Sequence, residues 1–150
     1  MYKILEAKEL AANIFYMVVE AKRVAKACKP GQFVIVRAAE DSERIPLTIC
    51  DYDAEKGTVT IVFQIVGAGT LMMSGLKAGD AFHDFVGPLG CPSEFVEEDL
   101  ETLKNKKLLF VAGGVGSAPE SGVSGDETAQ RPIVIGGLVP YWGRRHGGRA

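Results

Sequence analysis

The alternation of apolar and polar side chains is short in range and repeats through most of the chain. "YKILEAKEL" and "NIFYMVVEA" each carry a two-residue rhythm, and a polar turn near Ala12 and Asn13 joins them as two strands. "KPGQFVIVRA" sets a Pro-Gly turn before a third strand over residues 32–37. "RIPLTICDYD" reads as a fourth strand, with Pro46 near its start or at an edge. "GTVTIVFQIV" has the clearest period: Val59, Ile61, Phe63 and Ile65 alternate with Thr58, Thr60, Val62 and Gln64. "GAGTLMMSGLKAGD" predicts a tight turn, a short helix over residues 71–76, and a second turn. "AFHDFVGPLG" adds a further strand that ends in glycine and proline. Strands this short, with turns every ~8–12 residues, predict a small closed antiparallel barrel.

The rhythm changes after about Ser93. "SEFVEEDLETLKNKK" is charged and partly helical, and reads as a connector. "LLFVA" is a continuous apolar run, the pattern of a parallel strand covered on both faces. The glycine-rich "AGGVGSAP" follows it directly. Three segments are therefore expected: a barrel over 1–98, the first strand and loop of an α/β domain over 99–119, and an atypical tail over 120–150. Seven of the 18 glycines fall in that tail, which has no helical period, so it is expected to be disordered.

Composition narrows the function classes. The chain has 150 residues, 47% of them apolar and 24% charged, as in ordinary globular proteins. The formal net charge of -2 gives no electrostatic reason to expect nucleic acid or an anionic membrane as partner. No apolar run reaches the ~18 residues that span a bilayer. Lys3, Glu6, Lys8 and Glu9 interrupt any signal-peptide core, so a cytoplasmic location is expected. Cys28, Cys50 and Cys91 lie far apart, and neither they nor His83 and His146 have ligand spacing. They read as free thiols and ordinary histidines, and no metal site is expected.

Three stretches carry candidate chemistry. In "IVGAGTLMM", Gly67 and Gly69 allow a tight turn and close approach of backbone to a ligand, and Thr70 is placed to cap the helix. Amides at that turn suit a pyrophosphate, although a purely structural turn has the same composition. In "ERIPLTI", Arg44 offers a guanidinium for phosphate oxygens, and the Thr48 hydroxyl can bond a heterocycle edge. An exposed arginine and an ordinary strand threonine would look alike. In "AGGVGSAP" the glycines follow an apolar strand without the G-x-G-x-x-G spacing.

The order of these stretches is more specific than any of them alone. "PGQFVIVR", "ERIPLTICD", "VGAGTLMMSGLKAGD", "VGPLG" and "VAGGVGSAP" together resemble the ferredoxin–NADP reductase superfamily. Within it, the chain resembles the FAD-binding subunits of heteromeric NAD(P)H-linked oxidoreductases. Those include the alpha subunit of NADH-dependent ferredoxin–NADP oxidoreductase, toward which "RIPLT" leans, and the electron-transfer subunit of class-B dihydroorotate dehydrogenase. The resemblance implies a six-stranded FAD-binding barrel followed by an NAD(P)-binding α/β domain. It assigns Pro46, Leu47 and Thr48 to the flavin motif, with Leu47 against the isoalloxazine ring and Thr48 bonding it. The motif's arginine position falls on Ile45, and Arg44 precedes it by one residue. Phe63, Gln64 and Ile65 match the strand along the ribityl and adenosine part. Gly67, Gly69 and Thr70 match the pyrophosphate turn, and Gly113, Gly114, Gly116 and Ser117 match the nicotinamide-nucleotide loop.

The implied activity is electron transfer between NAD(P)H, FAD and an iron–sulfur partner, either a larger flavin/iron–sulfur subunit or ferredoxin. A non-catalytic flavin-binding module is the rival expectation. The family's C-terminal four-cysteine run, which holds a [2Fe–2S] cluster, has no counterpart here. The family pattern stops near Pro119, so a truncated nucleotide-binding domain and little NAD(P)H oxidation by the chain alone are expected.

Overall fold

In the computed structural model, residues 1–92 and Val115 are described. Residues 1–92 form a seven-stranded, all-antiparallel, nearly closed barrel. The strands are β1 (Tyr2–Ala11), β2 (Ile14–Glu20), β3 (Phe33–Arg37), β4 (Ile45–Asp53), β5 (Thr58–Gln64), β6 (Ala81–Phe82) and β7 (Asp84–Leu89), in the order β6-β1-β2-β5-β4-β3-β7. Two short helices, α1 (Lys22–Ala27) and α2 (Ala68–Ser74), complete the described part. The expectations for 99–119 and 120–150, including those for Gly113, Gly114, Gly116 and Ser117, lie outside the described residues.

Turn chemistry sets the hairpins. Asn13 adopts a positive φ of 64°, which an asparagine tolerates, and its N–H donates to Glu9 Oε1. β1 and β2 then pair from Ile4↔Val19 to Ala11↔Ile14. At the β4–β5 turn, Asp53 Oδ1 accepts the N–H groups of Glu55 and Lys56, and Gly57 supplies a φ of 72°.

The core follows the alternation. Ile4, Met17, Val19, Val34, Val36, Ile49, Val59, Ile61, Phe63, Phe82 and Phe85 are buried together. β5 differs from a one-faced strand, because Thr60 and Val62 on its other face are buried as well. A strand at the centre of the sheet order, paired on both sides, gains cover that its own sequence does not announce.

Two elements depart from the expected pattern. The stretch 81–89, expected as one strand, is two. β6 pairs with β1 through Tyr2↔Phe82 and Lys3↔Ala81, whereas β7 pairs with β3. The switch falls at His83, whose N–H donates to Arg37 O at 3.0 Å. Because β6 and β7 sit at opposite ends of the sheet order, this one segment draws the two ends together. The helix α1 has no counterpart in the sequence reading. It seats Val24 and Ala25 in the core and packs against β4, β5 and β7.

Candidate functional site

The ladder between β4 and β5 does not run the length of the strands. It holds from Ile49↔Ile61 to Asp53↔Thr58. Before Ile49, β4 pairs among the described residues only with β3, through Thr48↔Phe33, Leu47↔Val34, Pro46↔Ile35 and Ile45↔Val36. Beyond Ile61, β5 pairs among the described residues only with β2, through Val62↔Tyr16, Phe63↔Phe15 and Gln64↔Ile14. The two central strands therefore fork. The sequence motifs "IPLT" and "FQIV" line the two arms of that fork.

Strand alternation sets what faces the opening. Ile49 donates its N–H to Gln32 O at 3.1 Å, on the β3 side. One residue earlier, the N–H of Thr48 faces the opposite way, into the fork. Pro46 has no N–H to offer there, which suits a strand edge without a partner. Ile45 and Leu47 pack against the core, Pro46 is exposed, and Thr48 is half-buried. On the other arm the Phe63 ring is buried and stacks on Phe15 with centroids 5.8 Å apart, so only its main chain borders the opening. Gln64 is exposed and Ile65 half-buried.

The glycine turn closes one end of the fork. Gly67 is the helix N-cap in extended conformation, and space around it is open. Thr70 lies at the third helical position and not at the cap, so the sequence expectation is corrected by three residues. Its Oγ1 accepts the N–H groups of Val66 and Gly67 at 2.9 and 3.1 Å and donates to Gly67 O at 2.9 Å. The hydroxyl thus caps from inside the first turn. For the same reason α2 starts at Ala68, earlier than residue 71. Gly69 is buried: a β-carbon there would come within 2.7 Å of Glu43 Oε2 and 2.8 Å of Ile45 Cδ1. The turn is thereby packed directly onto the residues leading into β4, and "ERIPLT" and "GAGT" meet in space.

Arg44 belongs to a charged group beside this junction. Its Nη2 lies 4.0 Å from Asp84 Oδ2, and its side chain is 66% exposed. Arg37, only 15% exposed, holds the same oxygen with Nε at 2.7 Å, an ion pair in which the N–H is not aimed along the contact. Arg37 Nη1 donates to Glu40 O at 2.6 Å. His83 Nδ1 is 3.0 Å from both Arg37 Nη2 and Asp84 Oδ1. Burial alone would raise the Asp84 carboxyl, but the hydrogen bonds and charges of His83 and Arg37 outweigh it and hold it below the ordinary carboxylate range. This group was not legible in sequence, because Arg37 and Asp84 meet only through the β3–β7 register.

Among the described residues no group of three or more histidine, cysteine or acidic side chains is placed to hold a metal ion. No described helix is long and apolar enough to cross a membrane.

The barrel shares its fold with solved ferredoxin–NADP reductase-like proteins. No family model matches the chain. A Clostridium beijerinckii protein, named as an uncharacterized protein in the adh 3' region, is 64% identical over 119 residues, 79% of this chain and 40% of that protein. A Thermotoga maritima dihydroorotate dehydrogenase B electron-transfer subunit homolog is 40% identical over 116 residues, 77% of this chain and 39% of that protein. The solved NADH-dependent reduced ferredoxin–NADP oxidoreductase matches with 40% identity and a TM-score of 0.61, covering 63% of this chain and 36% of that one. An Amycolatopsis cytochrome P450 reductase matches the fold alone, at 20% identity and a TM-score of 0.61. The chain spans about two fifths of the length of these curated relatives. Relatives and fold together fit the ferredoxin–NADP reductase-like family, whose members found here are oxidoreductase and electron-transfer subunits.

Proposed function

We propose that the barrel binds FAD in the fork between β4 and β5 and serves as the flavin module of an electron-transfer subunit. The observation that carries this is the fork itself. Two adjacent central strands leave each other after Ile49↔Ile61, and the Thr48 N–H and hydroxyl and the backbone of residues 62–65 border the gap. The donor set fits an isoalloxazine: one amide and one hydroxyl for ring heteroatoms, and a largely apolar wall. The open space at Gly67 leaves room for the diphosphate beside the turn, whose Val66 and Gly67 N–H groups are themselves held by Thr70 Oγ1.

When bound, the flavin supplies hydride and single-electron chemistry. The chain's own residues bind and orient. Thr48 bonds the ring edge, Leu47 shapes the wall from behind, and Gln64 and Ile65 border the ribityl and adenosine part. Gly69 keeps the turn seated on Ile45, so the two motifs hold a fixed spacing. In the whole protein, electrons pass between NAD(P)H, FAD and an iron–sulfur partner such as ferredoxin or a larger subunit. Gly113, Gly114, Gly116 and Ser117 are the proposed nicotinamide-nucleotide loop. The name of the Thermotoga maritima relative supports a second reading, the electron-transfer subunit of a dihydroorotate dehydrogenase. A cytoplasmic setting suits both, because the buried thiols of Cys28 and Cys50 are free.

Titration of the purified 150-residue chain with FAD, followed by flavin fluorescence, tests the binding. Saturable binding is expected, and no binding at excess FAD would refute the proposal. Anaerobic addition of NADPH to the loaded protein is expected to leave the yellow colour largely unbleached. Rapid bleaching would show that this chain already holds a working nicotinamide site.

A further inference from the structure

Arg44 and Arg37 share one carboxylate on unequal terms. Arg37 is largely buried and held at 2.7 Å from Asp84, with its other end on Glu40 O at 2.6 Å. Arg44 is mostly exposed and only 4.0 Å from the same oxygen. Asp84 Oδ1 is already engaged by His83 at 3.0 Å. Two guanidinium charges thus meet one carboxylate, and Arg44 is the one that can leave. Its neighbours in the chain, Glu43 and Ile45, both lie against Gly69 at the mouth of the fork. Arg44 is therefore anchored at the ligand turn while its charge is held on β7.

From this geometry we propose that Asp84 is a positioning residue that parks Arg44, and that an anionic ligand in the fork draws the guanidinium away from it. The inference rests on the flavin reading above and adds to it a residue outside every recognised motif. Asp84 then sets the affinity for ligands bearing a diphosphate and leaves uncharged flavins unaffected. Arg37 stays in place, because its contacts with Asp84 and Glu40 are short and shielded. A freed arginine can meet phosphate oxygens in bidentate fashion, which a parked one cannot.

The test compares FAD with riboflavin on the full chain at physiological salt, where exposed charges more than about 8 Å apart are screened. Arg44→Ala is expected to weaken FAD about tenfold, the scale of one charge-assisted hydrogen bond, and to leave riboflavin unchanged. Asp84→Asn is expected to tighten FAD several-fold, and to lose that gain when combined with Arg44→Ala. A gain that persists in the double variant would mean simple removal of a negative charge, and would overturn the inference. If Asp84→Asn does not fold, the exposed Arg44→Ala still decides, since equal effects on FAD and riboflavin would overturn it. If wild-type protein binds riboflavin but FAD no better, the parked arginine is wrong and the flavin site stands. If it binds neither, both fall together.

Discussion

Thr70 concentrates three hydrogen bonds on one hydroxyl and is itself buried. Thr70→Val keeps the shape and removes the oxygen, so two N–H groups lose their acceptor. A loss of about 1–2 kcal/mol in urea unfolding is expected. Gly69 gives a graded outcome. The atoms a new β-carbon would meet are the far ends of Glu43 and Ile45, which can move. Gly69→Ala is therefore expected to stay within about 1 kcal/mol, with the gain in helix propensity offsetting the crowding. Gly69→Val adds two methyls at the same contact and is expected to cost about 1–3 kcal/mol. Thr48→Ala tests the proposed ligand contact: flavin binding is expected to weaken by roughly 0.5–1.5 kcal/mol, while the unfolding midpoint of the free protein hardly moves. That Gly67, Gly69 and Thr70 form a tight turn at the start of a short helix was legible from residue types and order. The cap geometry of Thr70 was not, because a threonine before an apolar run fits the N-cap and the third position equally well until the backbone is placed.

At the scale of elements, β4 and β5 carry both the core and the opening. Their ladder is anchored by the turn at Gly57, whose positive φ few L side chains adopt cheaply and where an added β-carbon would run into Lys22 of α1. Gly57→Ala is expected to destabilise by more than about 1 kcal/mol, through both the left-handed backbone and the clash with Lys22, read as a lower melting temperature. The short helix α1 escaped the sequence reading because six residues hold too little of a 3.6 period to register. Its apolar face is only Val24 and Ala25, and what covers them comes from strands distant in sequence.

At the scale of the molecule, burial of two thiols ties stability to pH. Burial pushes Cys28 and Cys50 each up to about 11, outweighing the backbone hydrogen bonds that pull the other way. The folded state therefore holds these protons more tightly than the unfolded chain. Stability is fully present below the ordinary thiol range and falls as pH rises from about 9 through about 11. A melting temperature flat from pH 7 to about 8.5 and declining beyond is expected. Cys28→Ser or Cys50→Ala should shallow that decline, and an unaltered slope in both would exclude the thiols as its source. Alkylation at pH 8 should mark the exposed Cys91 first and the other two only on unfolding.

The sequence by itself determined the strand content, the hairpin turns and the order of the flavin-type motifs. These are local properties: a two-residue period, and a glycine or asparagine where φ must be positive. Tertiary structure decided what depends on register between distant strands. It split residues 81–89 at His83, because the two halves bond to opposite ends of the sheet. It buried the second face of β5, and it opened the fork after Ile49↔Ile61. It also placed Arg37, Arg44 and Asp84 together, 40 and more residues apart for the pairs that include Asp84. No local pattern encodes such meetings, because they depend on which distant strands pair and in what register.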